Sequence, residues 1–184
     1  MPARVRDEAG FGLIELLMAI TILNIGILAI VAAFNSGIVT IRRASMVSTA
    51  SVLADQQVEQ YRRLTYDQIA LDSSTLSSVN NTYKCDSALG TGTCPYSTGS
   101  EVTITCTSPI SATCTPWRTT TGPDHHQYVV ASYVLTENPT GTARQVKRVA
   151  VVVRDGMNTS KVLAREITTF DCSTGQPSGS CPTT

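Results

Sequence analysis

The chain lacks any excess of charge. Its 14 Lys and Arg offset 14 Asp and Glu, for a formal net charge of +0, so no global field draws it to nucleic acid and no nucleic-acid partner is expected. It has no C-x-x-C pair and no His at zinc-ligand distance from its cysteines, which argues against a structural metal. A Gly-rich phosphate loop and a nucleophile-elbow spacing are both missing, so the expectation is a non-enzyme without a cofactor. Two further absences are positional. Between Phe11 and Phe34 the only charge is Glu15, and between Ile38 and Asp72 there is neither Gly nor Pro.

The first of these gaps defines a membrane element. At about 1.5 Å per residue the run from Phe11 to Phe34 makes roughly 36 Å of helix, enough to cross a hydrocarbon core of about 30 Å with some tilt. A cleaved secretory signal would have a shorter apolar region and end in a small-x-small site, and neither condition is met. Arg4 and Arg6 precede the run while Arg42 and Arg43 follow it, so basic residues alone leave the orientation tied. The cysteines break the tie. Cys85, Cys94, Cys106, Cys114, Cys172 and Cys181 all follow the run, and an even set of this kind implies disulfides in an oxidising compartment. The expected topology is a cytoplasmic N-terminus and an extracytoplasmic C-terminal domain.

With 184 residues there is room for one domain of ordinary size and one extra element. Ala50, Leu53, Ala54, Val58, Tyr61 and Leu64 share one helical face, opposite Asp55, Glu59, Arg62 and Arg63. Without an interrupting Gly or Pro, the pattern predicts one continuous helix of roughly 55 to 60 residues, its first half in the membrane and its amphipathic half, residues 35–71, packed on a soluble domain. Residues 72–123 turn to Ser, Thr, Gly and Pro and read as a cysteine-stapled loop with one short strand over Glu101 to Thr107. Gln127 to Glu137, Ala143 to Arg154 and Lys161 to Phe170 are rich in Val and Tyr and separated by turn sequences, which predicts an antiparallel meander over residues 124–170. Val149, Val151 and Val153 are expected to face the helix, and Arg148 and Arg154 the other side. Residues 171–184 form a tail bracketed by Cys172 and Cys181. Pairing Cys85 with Cys94, Cys106 with Cys114 and Cys172 with Cys181 is the simplest of the many connectivities six cysteines permit; the sequence leaves the connectivity open. The fold class is α+β: a long N-terminal helix on a small antiparallel sheet with disulfide-pinned loops.

The stretch Gly10-Phe11-Gly12-Leu13-Ile14-Glu15-Leu16-Leu17, set between a short basic leader and the apolar run, resembles the processing site of type IV prepilins and type II secretion pseudopilins. The resemblance implies that a membrane prepilin peptidase removes residues 1–10, cutting after Gly10 and methylating the new N-terminus at Phe11. Glu15 then stands at the fifth mature position, and residues 11–34 form the transmembrane and assembly helix. Gly12 departs from the Thr more frequent in the family, and Ala32 stands where many major pilins have a helix-breaking Pro. Leu53 to Gln60 and the strand from Gln145 to Arg154 look like the minor-pilin and pseudopilin subgroup. The implied partners are other pilin or pseudopilin subunits, the prepilin peptidase, an inner-membrane assembly platform and membrane lipid before assembly. The implied destination is a cell-surface pilus or pseudopilus. Glu15 has its own physical reading: a carboxylate in an apolar span is costly and needs a partner, and the amine freed at Phe11 of a neighbouring copy is a candidate that would also set register.

Other features have plainer readings. His125 and His126 follow Asp124 beside a Gly-Pro turn and read as exposed loop. Asn80 and Asn158 begin glycosylation-acceptor patterns, and Trp117 with Arg118 reads as local packing or a partner contact. The rival to a polymerising subunit is a single-pass anchored binding or adhesion domain. It would keep residues 1–10 and tolerate loss of Glu15.

Overall fold

The computed structural model describes residues 12–79, 81–89, 94, 101–108, 110–137 and 145–172. By internal contacts the chain divides into two units, Met1–Ala44 and Ser45–Thr184. A single helix, α1 (Leu13–Arg62), runs through both.

In the first unit the described residues are exposed throughout. This part of α1 is long and apolar enough to cross a membrane. Its hydroxyls are folded back on the helix: Thr21 donates to the Met18 carbonyl at 2.8 Å and Thr40 to that of Ser36 at 2.9 Å. Such back-bonding removes the penalty a free hydroxyl would bring to hydrocarbon.

The second unit is the folded domain. After α1 come β1 (Leu71–Asp72), α2 (Ser73–Ser78), α3 (Asn81–Lys84), β2 (Thr103–Ile104), β3 (Trp117–Thr121), β4 (Gln127–Glu137), β5 (Val146–Asp155) and β6 (Val162–Asp171). The last four form one antiparallel sheet in the order β3-β4-β5-β6, and β1 pairs with β2 in parallel. Ala50, Ala54, Val58 and Tyr61 of α1 join one core cluster with Val130, Val134, Val149, Val151 and Val153 of the central strands. The register places Val151 opposite Ser132 and Val153 opposite Val130, so the predicted valines do share a face. Arg154 lies on the opposite side of its strand and pairs with Asp86.

Both faces of β4 and β5 are buried, which explains why their sequences are near-continuous apolar runs instead of alternating ones. Tyr83 and Asp86, from the stretch after α2, pack on the face turned from α1, where Tyr83 stacks on Tyr133 and Asp86 pairs with Arg154. Sequence composition reads residues 72–123 as loop with one short strand over Glu101 to Thr107; β2 lies inside that stretch, but the region also holds α2, α3 and the five-residue β3. Helix α2 starts because Asp72 caps it, accepting from the Thr75 amide at 2.8 Å. Strand β3 forms because β4 offers it an open edge, and its β-branched Thr119, Thr120 and Thr121 suit an edge strand.

Helix α1 ends at Arg62, short of Asp72. No Gly or Pro stops it. Instead a short 3₁₀ turn follows at Tyr66–Gln68, and the buried Lys147 ammonium donates to the Tyr66 and Ile69 carbonyls at 2.6 and 2.9 Å. Lys147 also lies over the Tyr66 ring, 4.5 Å from its centre. A tertiary contact therefore takes over carbonyls that a continuing helix would have used. Burial pushes the Lys147 pKa below its ordinary value.

The turn joining β5 and β6 makes a close approach. Its Gly156 amide donates to the Gln127 carbonyl at 2.8 Å, and a Cβ at Gly156 would meet that same oxygen at 2.6 Å. Gly156→Ala is expected to cost about 1–3 kcal/mol, read as a lower melting temperature. An unchanged melt would show that the turn relaxes freely.

Candidate processing and assembly segment

Gly10 and Phe11 lie outside the described residues. The segment comes into view at Gly12, whose carbonyl accepts from the Glu15 and Leu16 amides at 3.0 and 3.2 Å and so opens α1. Glu15 therefore occupies the first helical turn, where the positive end of the helix dipole favours a carboxylate by about 0.3–1 kcal/mol. It is exposed, as are Leu13, Ile14, Leu16 and Leu17 around it. Helix geometry thus fixes where Glu15 stands. Among the described residues only the helix dipole answers its charge.

Asn24 is the one amide side chain in the run from Phe11 to Phe34, exposed amid Ile and Leu. Charge counting passes over it because an amide is neutral. In an apolar medium, however, an amide side chain is a strong candidate for bonding between helices.

The cysteines sit in the domain. Disulfides join Cys85 to Cys94 and Cys106 to Cys114. Cys172 is also disulfide-bonded, while Cys181 lies outside the described residues. The Cys106–Cys114 loop is held from several sides. Asp72 donates its amide to the Cys114 carbonyl at 2.8 Å and accepts from the Cys106 amide at 3.1 Å. Gln57 donates to the Ala112 carbonyl at 2.9 Å and Tyr61 to that of Thr113 at 2.8 Å. Hydrogen bonds from Ser74, Cys106 and Thr75 hold the Asp72 carboxyl well below the usual range, and burial pushes the Tyr61 phenol up to about 12.

A second polar cluster pins the Cys85 segment. Asp86 accepts from the Tyr133 hydroxyl at 2.5 Å and the Ala88 amide at 2.9 Å, and pairs with Arg154. Burial pushes the Asp86 carboxyl up, but the bonds from Tyr133, Arg154 and Ala88 outweigh it and the net shift is downward. Spacing gave no sign of this cluster, since its members come from distant segments.

The remaining candidates separate. His126 shares a 2.8 Å hydrogen bond with Asp155, while His125 turns back at a positive φ of 58°. Among the described residues no group of three or more His, Cys, Asp or Glu side chains is placed to hold a metal. Asn158 accepts from the Ser160 amide and hydroxyl within its own turn; Asn80 lies outside the described residues. Arg118 donates to Gln57 at 3.2 Å, on the α1 side of β3.

Residues 5–31 match the family model of the prokaryotic N-terminal methylation motif. That motif is the signature of type IV pilins and pseudopilins. The motif implies processing by a prepilin peptidase and assembly with other pilin subunits. No curated protein and no solved structure matches the chain.

Proposed function

We propose that this protein is a non-enzymatic minor subunit of a type IV pilus or of a type II secretion-type pseudopilus. Prepilin peptidase cuts between Gly10 and Phe11 and methylates Phe11. The subunit waits in the inner membrane, N-terminus cytoplasmic and domain outside, until the assembly platform draws it into a filament at the cell surface. The observation that carries this reading is the exposed apolar first part of α1, with one acid in its first turn, in and just beyond the methylation motif. Lipid satisfies the apolar side chains, but neither Glu15 nor Asn24 gains from lipid. A bundle of like helices supplies partners for both.

Mass spectrometry of the membrane-extracted chain tests the processing step. The expected product begins at Phe11 and carries one added methyl group. A mature chain still bearing Met1 to Gly10 would favour the anchored, non-polymerising reading.

A further inference from the structure

A cavity of about 740 Å³ opens on the sheet face turned from α1, between β4, the segment around α2 and Cys85, and the turn after β5. Its volume falls within the ~300–1,000 Å³ typical of small-molecule sites. The strand register explains its form. Trp117 stands directly opposite Ala131, and Val129, Ala131 and Tyr133 alternate onto the same face. The small Ala131 methyl thus leaves a hollow beside an indole.

That indole is unusual in its setting. Trp117 is 49 % exposed, whereas the strand residues beneath it, Val129, Ala131 and Tyr133, are all buried. A large flat apolar face is held open to water at the edge of a concavity, by a sheet that buries its other aromatics.

Charge and polarity narrow what fits. Among the described lining residues only Asp86 and Arg154 are charged, and they neutralise each other. A strongly charged ligand would find no net counter-charge. Apart from the Tyr83 and Tyr133 hydroxyls, which are bonded to Ser132 and Asp86, the other polar side chains of the described lining are the hydroxyls of Ser78, Thr82, Ser87, Thr159 and Ser160. Each such group both donates and accepts, and Arg154 has N–H groups beyond its bonds to Asp86 and Thr159. One flat aromatic wall, a neutral interior and a hydroxyl rim complement a neutral polyol that has an apolar C–H face. We propose that the cavity binds a neutral saccharide, with a pyranose ring stacked on Trp117 and its hydroxyls bonded to the Ser and Thr rim. The C–H groups of the ring, slightly positive, meet the negative face of the indole.

A proline-rich peptide is the nearest rival, since such peptides dock on rows of open aromatic faces. Here the other two aromatics are stacked on each other, their ring centres 4.6 Å apart, and Tyr133 is buried. A single open face suits one ring better than a repeating peptide. The inference goes beyond the filament role and does not depend on it.

Trp117 is the only Trp in the chain, so its fluorescence reports this cavity alone. The full chain in detergent micelles is titrated with glucose, galactose, mannose, N-acetylglucosamine, lactose and chitobiose, with a proline-rich peptide as comparison. The expected result is a saturable change in Trp117 emission with at least one saccharide. By saturation-transfer NMR, Trp117→Ala then binds that saccharide at least about tenfold more weakly, and Trp117→Phe retains most of the affinity. Ser160→Phe, which crowds the mouth from an exposed turn, should also abolish binding and keeps the test open if Trp117→Ala misfolds. Emission unmoved by every saccharide, full binding by Trp117→Ala, or a response to the peptide alone would each overturn the proposal.

Discussion

Glu15→Ala is expected to cut incorporation into filaments by roughly two to three orders of magnitude while leaving the amount of subunit in the membrane unchanged or raised. The two effects have opposite signs because the carboxylate serves only one of the two states. In lipid it costs on the order of 2.5 to 3.5 kcal/mol at mid-membrane and less near the helix end, so its removal helps insertion. In a filament, on the proposed reading, it meets the methylated Phe11 amine of another copy. Opposite unit charges about 4 Å apart attract by about 4 kcal/mol at an effective dielectric of ~20. Taking away the acid also leaves that amine unpaired in an apolar interior, a loss of about 3–5 kcal/mol for buried pairs. At ~1.4 kcal/mol per factor of ten, either figure gives the predicted range. Glu15→Gln keeps the shape and loses the charge, so it should fall nearly as far. Comparing sheared filaments with membrane fractions by immunoblot reads both quantities. Assembly of Glu15→Ala at the normal level would remove the charge-pairing idea.

The legible and illegible parts of this chain divide along a physical line. Apolar periodicity reports burial on one face, and it located the faces of α1 and the strands β4, β5 and β6, because Ala50, Val58, Val151 and Val153 must leave water. The end of α1 was not legible, because Lys147, far away in sequence, captures the Tyr66 and Ile69 carbonyls. Strand β3 was hidden for a related reason: its Thr run forms a strand only where β4 leaves an edge open. Buried polar residues were the least visible. Gln57, Asp72 and Asp86 look like surface residues by type, yet each is buried and bonded to a distant backbone or side chain. At the N-terminus the reverse holds. Glu15 is conspicuous in sequence because a charge in an apolar run breaks a strong local pattern.

Asp86 carries the second large expected effect. Replacing it with Ala should lower the stability of the folded domain by about 3–5 kcal/mol, since one member of a buried pair is lost and the other stays. Three groups lose their acceptor at once: the Arg154 guanidinium, the Tyr133 hydroxyl and the Ala88 amide. Arg154 keeps its bond to the Thr159 carbonyl at 2.9 Å, so it has an anchor but no counter-charge. The melting temperature should fall by about 10 °C or more. Acid supplies an independent check on the same carboxylate. The folded pKa values of Asp72, Asp86, Asp124 and Asp155 are all lowered. A depressed folded pKa means that the unfolded chain takes up protons first, so these groups stabilise the fold above the ordinary carboxylate pKa of about 3.9. That stability drains as the pH falls through the lower folded values. Melting temperature is therefore expected to be flat near neutrality and to drop below about pH 4, with a shallower drop in Asp86→Ala. Asp86→Asn separates charge from shape: the amide still accepts one hydrogen bond, so it should lie between the wild type and Asp86→Ala. If Asp86→Ala melts with the wild type and shows the same acid slope, the Asp86–Arg154 pair is a surface ornament and the Cys85 segment is held by its disulfide alone.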